Sequence, residues 1–238
     1  MMASMNDAAN TELELLDNIV WHSLCGPQAA MATGSQSIRR YARGFSPLIG
    51  AKDAEAPDLA ELAPYCDAGE QFYYSGWSGQ APRGWRVDVD ARMEQYVWDG
   101  DAPSPAGEVE AIRLGPAPAA QAMALVELTH PGPFGERTPE LGEYYGVVDD
   151  GRLIAMTGER MHAGGLREIS GVCTHPDFQG RGLARRLMEK LIALQLARGQ
   201  TPFLHVMSAN AGARRLYEKM GFRHHRQRIV RIVTYVGG

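Results

Sequence analysis

The chain has 238 residues, a formal net charge of -4 and a hydrophobic fraction of 45%. This composition excludes a collagen-like, coiled-coil or largely disordered chain, and the length corresponds to about one and a half domains. The mild acidity gives no global basic surface of the kind that nucleic-acid binding requires. The sequence therefore predicts a globular protein with a surplus of about half a domain.

Three cysteines, Cys25, Cys66 and Cys173, are widely spaced, and no CxxC pair is present. A disulfide framework or a cysteine-based zinc site is therefore not expected. The cysteine content fits a reducing compartment. The N-terminus has early acidic residues and no apolar core of a signal peptide. No apolar run approaches the roughly 20 residues that span a bilayer. We expect a soluble, cytoplasmic protein that binds no metal.

The first hundred residues show weak periodicity and a high aromatic content. Helices are predicted over 12–24 and 58–63, and alternating residues predict a long strand over 85–97. The four tryptophans, together with Phe72, Tyr73 and Tyr74, are expected to supply a core. The connector DGDAPSPA at 99–106 combines Asp, Gly and Pro. It predicts two domains, 1–107 and 108–238.

From residue 108 the predicted elements follow one another clearly. They are a strand at 108–114, a helix at 119–128, a short helix, strands at 143–148, 153–159 and 167–174, a helix from 183, a strand at 202–207, a helix from 210 to about 220 and a strand at 228–236. An Asp-Gly turn joins the second and third strands. The helix from 183 carries an apolar stripe of Leu183, Leu187, Leu191 and Leu194, and Gly199 is its expected end. This order predicts a mixed α/β domain.

The segment HPDFQGRGLA at 175–184 joins a strand to that helix. A helix N-terminus offers unpaired backbone N–H groups and partial positive charge, which suit a phosphate or pyrophosphate. Gly180 and Gly182 allow a close approach of the backbone, and Arg181 or Arg185 can add a charged contact. The segment is neither a P-loop nor a GxGxxG motif, so QGRG alone equally allows a turn without a ligand.

Two motifs carry a resemblance to a known family. The run VCTHPDFQGRGLA at 172–184 resembles the acetyl-CoA signature of the GNAT N-acetyltransferase superfamily, whose core Arg/Gln-x-x-Gly-x-Gly/Ala is met by Gln179, Gly182 and Ala184. The run NAGARRLYEKMGF at 210–222 looks like the second signature of that family. The resemblance covers about 108–238. It implies the GNAT acyl-CoA N-acyltransferase fold, a mixed and mostly antiparallel sheet with flanking helices, nearest to the branch that includes glycine N-acyltransferases.

The resemblance implies acetyl-CoA as co-substrate, with its pantetheine arm between two splayed strands. The residues that would contact it are Val172, Cys173, Thr174, Gln179, Gly180, Arg181, Gly182, Leu183, Ala184, Arg185 and Asn210. Gly171 in mid-strand predicts a bulge, with a plain packing glycine as the alternative. Asn210 also suits a helix N-cap.

For the chemistry, the resemblance implies that Tyr217 protonates the departing thiolate, unless it only packs between helix and sheet. Glu168 lies eleven positions before Gln179, an offset that resembles the base glutamate of the histone and glycine acyltransferase branches. A solvated surface glutamate is the alternative. His205 is the competing base, as is a water chain, although a lone histidine in a strand is more often a core residue. A covalent route through Cys173 is disfavoured because no partner base is visible.

The function implied is acetyl transfer to a primary amine of a small molecule or amino acid, directly within a ternary complex. A protein N-terminus or lysine is the alternative acceptor. A degenerate module that binds or senses acyl-CoA is the alternative class. We expect no nucleic-acid or membrane partner and a monomer or homodimer. Residues 1–107 are either plain supporting structure or a smaller, degenerate GNAT-like half that walls the acceptor pocket.

Overall fold

The structure is a computed structural model that describes residues 12–103, 110–115 and 119–238. The strands are β1 (Ala32–Gly34), β2 (Ile38–Tyr41), β3 (Ile49–Ala51), β4 (Gln71–Ser75), β5 (Trp85–Trp98), β6 (Ile112–Arg113), β7 (Tyr144–Asp149), β8 (Arg152–Ala163), β9 (Leu166–Thr174), β10 (Thr201–Met207) and β11 (Phe222–Tyr235). The helices are α1 (Ile19–Cys25), α2 (Leu59–Leu62), α3 (Ala119–Thr129), α4 (Leu183–Ala197) and α5 (Ala211–Met220). No helix within the described ranges is long and apolar enough to cross a membrane.

Eight strands form the main sheet, in the order β4-β11-β5-β10-β9-β8-β7-β6. The pair β9 and β10 is parallel, and every other neighbouring pair in this sheet is antiparallel. Helices flank the sheet, and the element order from β6 onward is the predicted one. The predicted α/β fold with a mostly antiparallel central sheet is therefore confirmed.

The two faces of the main sheet are covered by different parts of the chain. On one face, α4 and α5 bury the side chains of Tyr96, Leu204 and Val206. On the other face, the segment around α1 packs against Val97 and Phe203. Because successive residues of a strand point to opposite faces, β5 and β10 contribute to both cores.

Helix α4 forms where the leucine pattern predicted it, and most of the leucines in that pattern are buried. Leu183, Leu187 and Leu191 are buried, as expected. Leu194 is only half-buried, and the buried position beside it is Gln195, whose amide donates to Glu159 Oε1 at 3.1 Å. The helix ends as predicted at Gly199, whose φ of 68° is readily adopted by glycine.

Other element boundaries also differ from the predictions. Strand β11 begins at Phe222, six residues before the predicted start, directly after the left-handed Gly221 that ends α5. The helix predicted over 12–24 is interrupted by a 3-10 turn at Leu15–Asn18. Part of the strand predicted over 108–114 lies outside the described residues, and β6 is its described portion.

The chain before residue 108 builds two structures. Strands β1, β2 and β3 form a small antiparallel sheet, while β4 and β5 join the main sheet. The main sheet is thus continuous across the predicted boundary between 1–107 and 108–238, since β5 lies between β10 and β11. Five of the aromatic residues expected in a core are buried: Phe72, Tyr74, Trp77, Trp85 and Trp98. The kinship of this region to a degenerate half of the same fold stays a prediction.

Candidate active site

The parallel strands β9 and β10 separate after three residue pairs. Leu166, Arg167 and Glu168 pair with Thr201, Pro202 and Phe203 in that order. Beyond that point β9 continues to Thr174 and β10 to Met207 without further pairing between them. Their backbone groups are therefore open to a ligand lying between the two strands, which is the arrangement that the sequence predicted.

Gly171 lies at a bulge beside this opening. Its φ is 63°, and the register between β8 and β9 shifts between the pairs Met156–Cys173 and Gly158–Ser170. An extra residue on one strand leaves local backbone groups out of the ladder. The predicted bulge is confirmed, and it turns the backbone near Val172 out of regular pairing.

The loop at the start of α4 adopts the conformation that its glycines predict. Gly180 and Gly182 have φ values of 75° and 73°, and a Cβ at either position would meet nothing within 4 Å. Gly182 is the N-cap residue of α4 and lacks a side-chain cap. The N–H groups of the first helical turn therefore face an open surface, which suits an anion.

The side chains predicted to contact a ligand at this loop already make contacts within the protein. Arg181 stacks over Phe178 at 4.7 Å and donates to the Asp177 carbonyl. Arg185 pairs with Glu189 at 2.7 Å, one turn along the exposed face of α4. Gln179 donates to the carbonyl of Thr174 at 3.3 Å and so ties the loop to the end of β9.

A cavity of about 450 Å³ extends from this opening across the main sheet. The predicted residues among its lining are Val172, Cys173, Thr174, Gln179, Asn210, Tyr217 and His205. Thr174 Oγ1 is buried there without a hydrogen-bond partner among the described residues, so the wall offers a ligand a free hydroxyl. The open strands, the glycine loop and this hydroxyl fit acetyl-CoA. Glu168 is not part of the lining.

Glu168 is fully buried behind the cavity wall. Its carboxylate accepts two hydrogen bonds from Arg160, at 2.8 and 2.9 Å, and one from the Met161 N–H. Its Oε1 also lies 2.8 Å from His205 Nδ1. Burial raises the pKa of this carboxyl, but Arg160 and His205 outweigh that effect, and the pKa falls to about 2. The carboxylate is ionised and fully engaged, which is the opposite of a solvated surface residue.

The neighbours of His205 define its tautomer. Gln95 Nε2 donates to the Leu16 carbonyl at 3.2 Å, which orients the amide and places the same nitrogen 3.0 Å from His205 Nε2. An amide N–H requires an acceptor, so Nε2 carries the lone pair and Nδ1–H donates to Glu168. The arrangement is a carboxylate–histidine pair whose unprotonated nitrogen contacts Gln95, and both His205 and Gln95 line the cavity.

Tyr217 lies on α5 and Asn210 caps the start of that helix, and both line the cavity. Tyr217 is 8% exposed and packs edge-on against Phe222. Burial raises the pKa of its hydroxyl to about 12, so the hydroxyl holds its proton at neutral pH. Asn210 Oδ1 accepts from the Ala213 N–H at 3.1 Å, which confirms its expected capping role.

Cys173 is buried next to the bulge, and burial raises the pKa of its thiol to about 11. A thiol is a strong nucleophile only as the thiolate. Cys173 therefore lacks the activation that a covalent acyl carrier requires.

Several residues of the site were missed in the sequence. Arg160 anchors Glu168, Gln95 contacts His205, and Arg228 lines the far end of the cavity. A charged pair, Glu159-Arg160, inside a largely apolar strand was a usable signal for a buried ion pair. No local pattern marks Gln95, because its role depends on pairing with His205 across 110 residues.

A mixed sheet that opens between its two parallel strands, with a glycine loop at the adjacent helix N-terminus, defines the class of acyl-CoA N-acyltransferases. A sequence profile described as FR47-like protein matches residues 144–231. A GNAT-family protein from Novosphingobium aromaticivorans is 37% identical, with a TM-score of 0.81, over 92% of this chain and 98% of that one. The chain belongs to the GNAT family of N-acetyltransferases.

Two further similarities are more distant. A GCN5-related N-acetyltransferase from Kribbella flavida shares the fold, with a TM-score of 0.58 and 17% identity over 92% of this chain and 95% of that one. The [ribosomal protein bS18]-alanine N-acetyltransferase of Salmonella typhimurium is 48% identical over 55 residues. That match spans 23% of this chain and 37% of the curated relative.

Proposed function

We propose that the protein transfers an acetyl group from acetyl-CoA to a primary amine of a small molecule or amino acid, directly within a ternary complex. The observation that carries this is that one cavity is lined by the separated strands, by Tyr217 and by His205. The Tyr217 hydroxyl holds its proton, and the Nε2 of His205 carries none. Acetyl-CoA supplies a thioester, whose carbonyl carbon accepts the amine.

The protons of this reaction have acceptor and donor groups in the cavity. The acceptor ammonium loses one proton to His205 Nε2, a C–N bond forms as the C–S bond breaks, and the Tyr217 hydroxyl protonates the sulfur. The new amide nitrogen then gives its second proton to the Tyr217 phenolate, and the proton on His205 is released to water. An ammonium is a stronger donor than an amide N–H, so it replaces the Gln95 contact at Nε2. Glu168 acts as a positioning residue, because it orients His205 and stabilises the imidazolium. In this proposal the base is His205, whereas the sequence predicted Glu168.

The shape of the cavity supports a small acceptor. Away from the opening, its walls come from the segment Leu16–Val20 and from Leu48–Gly50, which lie over the sheet face opposite to α4. This supports the hypothesis that residues 1–107 enclose the acceptor. The matched Salmonella enzyme is named for an alanine of a ribosomal protein, so an alanine-initiated peptide belongs in the test as the competing acceptor.

The experiment is a thiol-release assay with acetyl-CoA against matched panels of small amines, amino acids and alanine-initiated peptides. We expect saturable release with members of the first two panels. Thiol release with peptides alone would indicate that the acceptor is a protein N-terminus. Saturable acetyl-CoA binding with no release on any panel would identify a module that binds acyl-CoA without transfer.

Direct transfer makes a separate prediction for Cys173. Because its thiol stays protonated, Cys173→Ala retains most of the turnover, with kcat within about threefold of the parent chain. The check is steady-state kinetics together with mass spectrometry of the protein after incubation with acetyl-CoA. An acetylated Cys173 that forms and decays at the rate of turnover would contradict direct transfer.

A further inference from the structure

Gln95 is a buried amide that joins the N-terminal segment to His205. It is 1% exposed and lies in β5, directly opposite His205 in β10. Its Nε2 donates to the carbonyl of Leu16 at 3.2 Å and lies 3.0 Å from His205 Nε2. Leu16 is itself buried, in the 3-10 turn at Leu15–Asn18 that precedes α1. One amide nitrogen therefore contacts both the backbone of this turn and the proposed base.

The Leu16 carbonyl determines which way this amide points. Rotating the amide of Gln95 by half a turn would bring its Oε1 against the Leu16 oxygen, where two acceptors would face each other without a proton between them. A buried amide that loses its hydrogen bond in this way costs stability. Gln95 is thus held with its N–H groups toward Leu16 and His205.

An amide in this orientation disfavours the charged form of His205. Nδ1 donates to Glu168 at 2.8 Å, so a second proton on the ring would have to lie on Nε2. That proton would face the N–H of Gln95, and two donors would oppose each other across 3.0 Å. The neutral ring, which carries its lone pair on Nε2, accepts a hydrogen bond from the same N–H instead.

The charged groups around His205 come in pairs of opposite sign. Glu168 in β9 pairs with Arg160 in β8 at 2.8 Å, and both are buried. On the β11 side, Arg226 pairs with Asp17 of the 3-10 turn. Burial raises the pKa of two tyrosine hydroxyls that interact with Arg160, so they are uncharged: Tyr41 and Tyr144. Among the described residues, these pairs leave little net charge to favour an imidazolium, so the orientation of the amide decides the protonation of His205.

We propose that Gln95 is a positioning residue that keeps His205 neutral, with the lone pair on Nε2, until the acceptor amine binds. The Leu16 carbonyl holds Gln95 in this role, so the N-terminal segment takes part in preparing the base. This inference rests on the proposed function and extends it. The ammonium of the acceptor displaces one N–H of Gln95 from Nε2, while the amide keeps its bond to Leu16.

The test follows the dependence of kcat/KM on pH. Gln95→Leu removes the opposing N–H, so His205 stays protonated to higher pH, and the acidic limb of the profile moves up by about one pH unit. Gln95→Glu places an acceptor at a protonated Nε2 and moves the limb further in the same direction. Above its shifted limb, Gln95→Leu recovers most of the turnover of the parent chain.

Gln195→Leu is the matched control. Gln195 is also buried, its Oε1 likewise has no hydrogen-bond partner among the described residues, and its Nε2 donates to Glu159 at 3.1 Å. Both leucine variants therefore lose a buried amide and its hydrogen bond, but only Gln95→Leu moves the limb. Melting temperature and acetyl-CoA affinity verify that each variant is folded. A limb that stays in place in both Gln95 variants, or a loss of rate that is equal at every pH, would overturn the inference.

Nitrogen NMR of the chain with labelled histidine separates this inference from the transfer reaction. The spectrum of His205→Gln identifies the signals of His205 by difference. At neutral pH we expect a neutral ring with its proton on Nδ1 in the parent chain and a charged ring in Gln95→Glu. If no acceptor releases thiol, these spectra support the inference while the proposed function fails. A charged ring, or a neutral ring with its proton on Nε2, in the parent chain contradicts the inference whether or not transfer occurs.

Discussion

At the scale of single residues, the proposed reaction gives the ionisable groups of the site different roles. Glu168 has a pKa of about 2 and four hydrogen-bonding contacts, so it holds no proton and has little capacity to accept one at neutral pH. His205 contacts that carboxylate through Nδ1 and lines the cavity, and its Nε2 contacts Gln95. An imidazole in this position accepts a proton and shares the resulting charge with the carboxylate behind it.

His205→Gln tests this division. The glutamine keeps approximate size and polarity but accepts no proton, so kcat falls by about a hundredfold or more. Acetyl-CoA affinity changes little. His224→Gln provides the same substitution at a histidine that pairs with Glu94, and it leaves kcat within about twofold. Steady-state kinetics and acetyl-CoA titration check both variants; a kcat in His205→Gln equal to that of His224→Gln would remove His205 from the base role.

The buried pair of Arg160 and Glu168 predicts a specific pattern of stability. Glu168→Gln leaves the Arg160 charge buried without its partner, which lowers the free energy of unfolding by about 3–5 kcal/mol. Adding Arg160→Met to that variant recovers part of the loss, because both charges are then absent. Chemical denaturation of the two single variants and the double variant measures the coupling. If the losses of unfolding free energy in the two single variants add up to the loss in the double variant, Arg160 and Glu168 do not stabilise each other.

The same pair determines whether the free energy of unfolding rises or falls with pH. The pKa of Glu168 is depressed in the fold from 4.5 to about 2. Its stabilising contribution is therefore fully present above about pH 4.5 and is lost as the pH falls toward 2. The stability difference between the parent chain and Glu168→Gln accordingly shrinks over that range, which denaturation at a series of pH values reads directly.

At the scale of elements, the junction of β9 and α4 positions the backbone that is proposed to bind acetyl-CoA. Gly182→Val puts a β-branched residue at a left-handed N-cap, with its side chain in the open space in front of the first helical turn. We expect acetyl-CoA affinity to fall by about tenfold or more, because the N–H groups and the helix dipole lose their access to phosphate. Isothermal titration measures the affinity.

Gly199→Val is the control for that change. Gly199 has a φ of 68° and open space around its Cβ position, as Gly182 does, but it follows the opposite end of α4. Backbone strain is therefore similar in the two variants, and their melting temperatures fall together. Equal acetyl-CoA affinities in the two variants would show that the loop binds no phosphate.

The sequence predicted these elements well where the pattern was local. The Asp150-Gly151 turn, the Gly171 bulge and the glycine loop each follow from backbone conformations that few residues adopt. The carboxylate–histidine pair and its Gln95 partner could not be predicted, because they come together only when β5, β9 and β10 align. Likewise, nothing local distinguishes Arg228 from the other arginines of β11.

At the scale of the whole molecule, the length surplus is part of the sheet rather than an addition to it. Residues 108–238 alone lack β5, which separates β10 from β11 and pairs with both. We expect a chain starting at Glu108 to remain unfolded, since Phe203, Leu204 and Tyr217 would lose buried contacts.

Supplying residues 1–107 as a separate polypeptide provides the control for that truncation. The two pieces together are expected to recover folding and acetyl-CoA binding, measured by circular dichroism and titration. A chain of 108–238 that folds and binds acetyl-CoA by itself would confirm the predicted division into two independent domains.

The insertion of β5 also has a consequence during synthesis. Its partners in β11 are made more than a hundred residues later, so the sheet cannot close until β11 has left the ribosome. Until then, Trp85 and Trp98 have no neighbouring strand from β11 to cover them, and exposed apolar strands promote aggregation. Slow release of the nascent β11 segment, or a shortage of chaperones, therefore affects the yield of this protein more than that of a fold built from sequential hairpins.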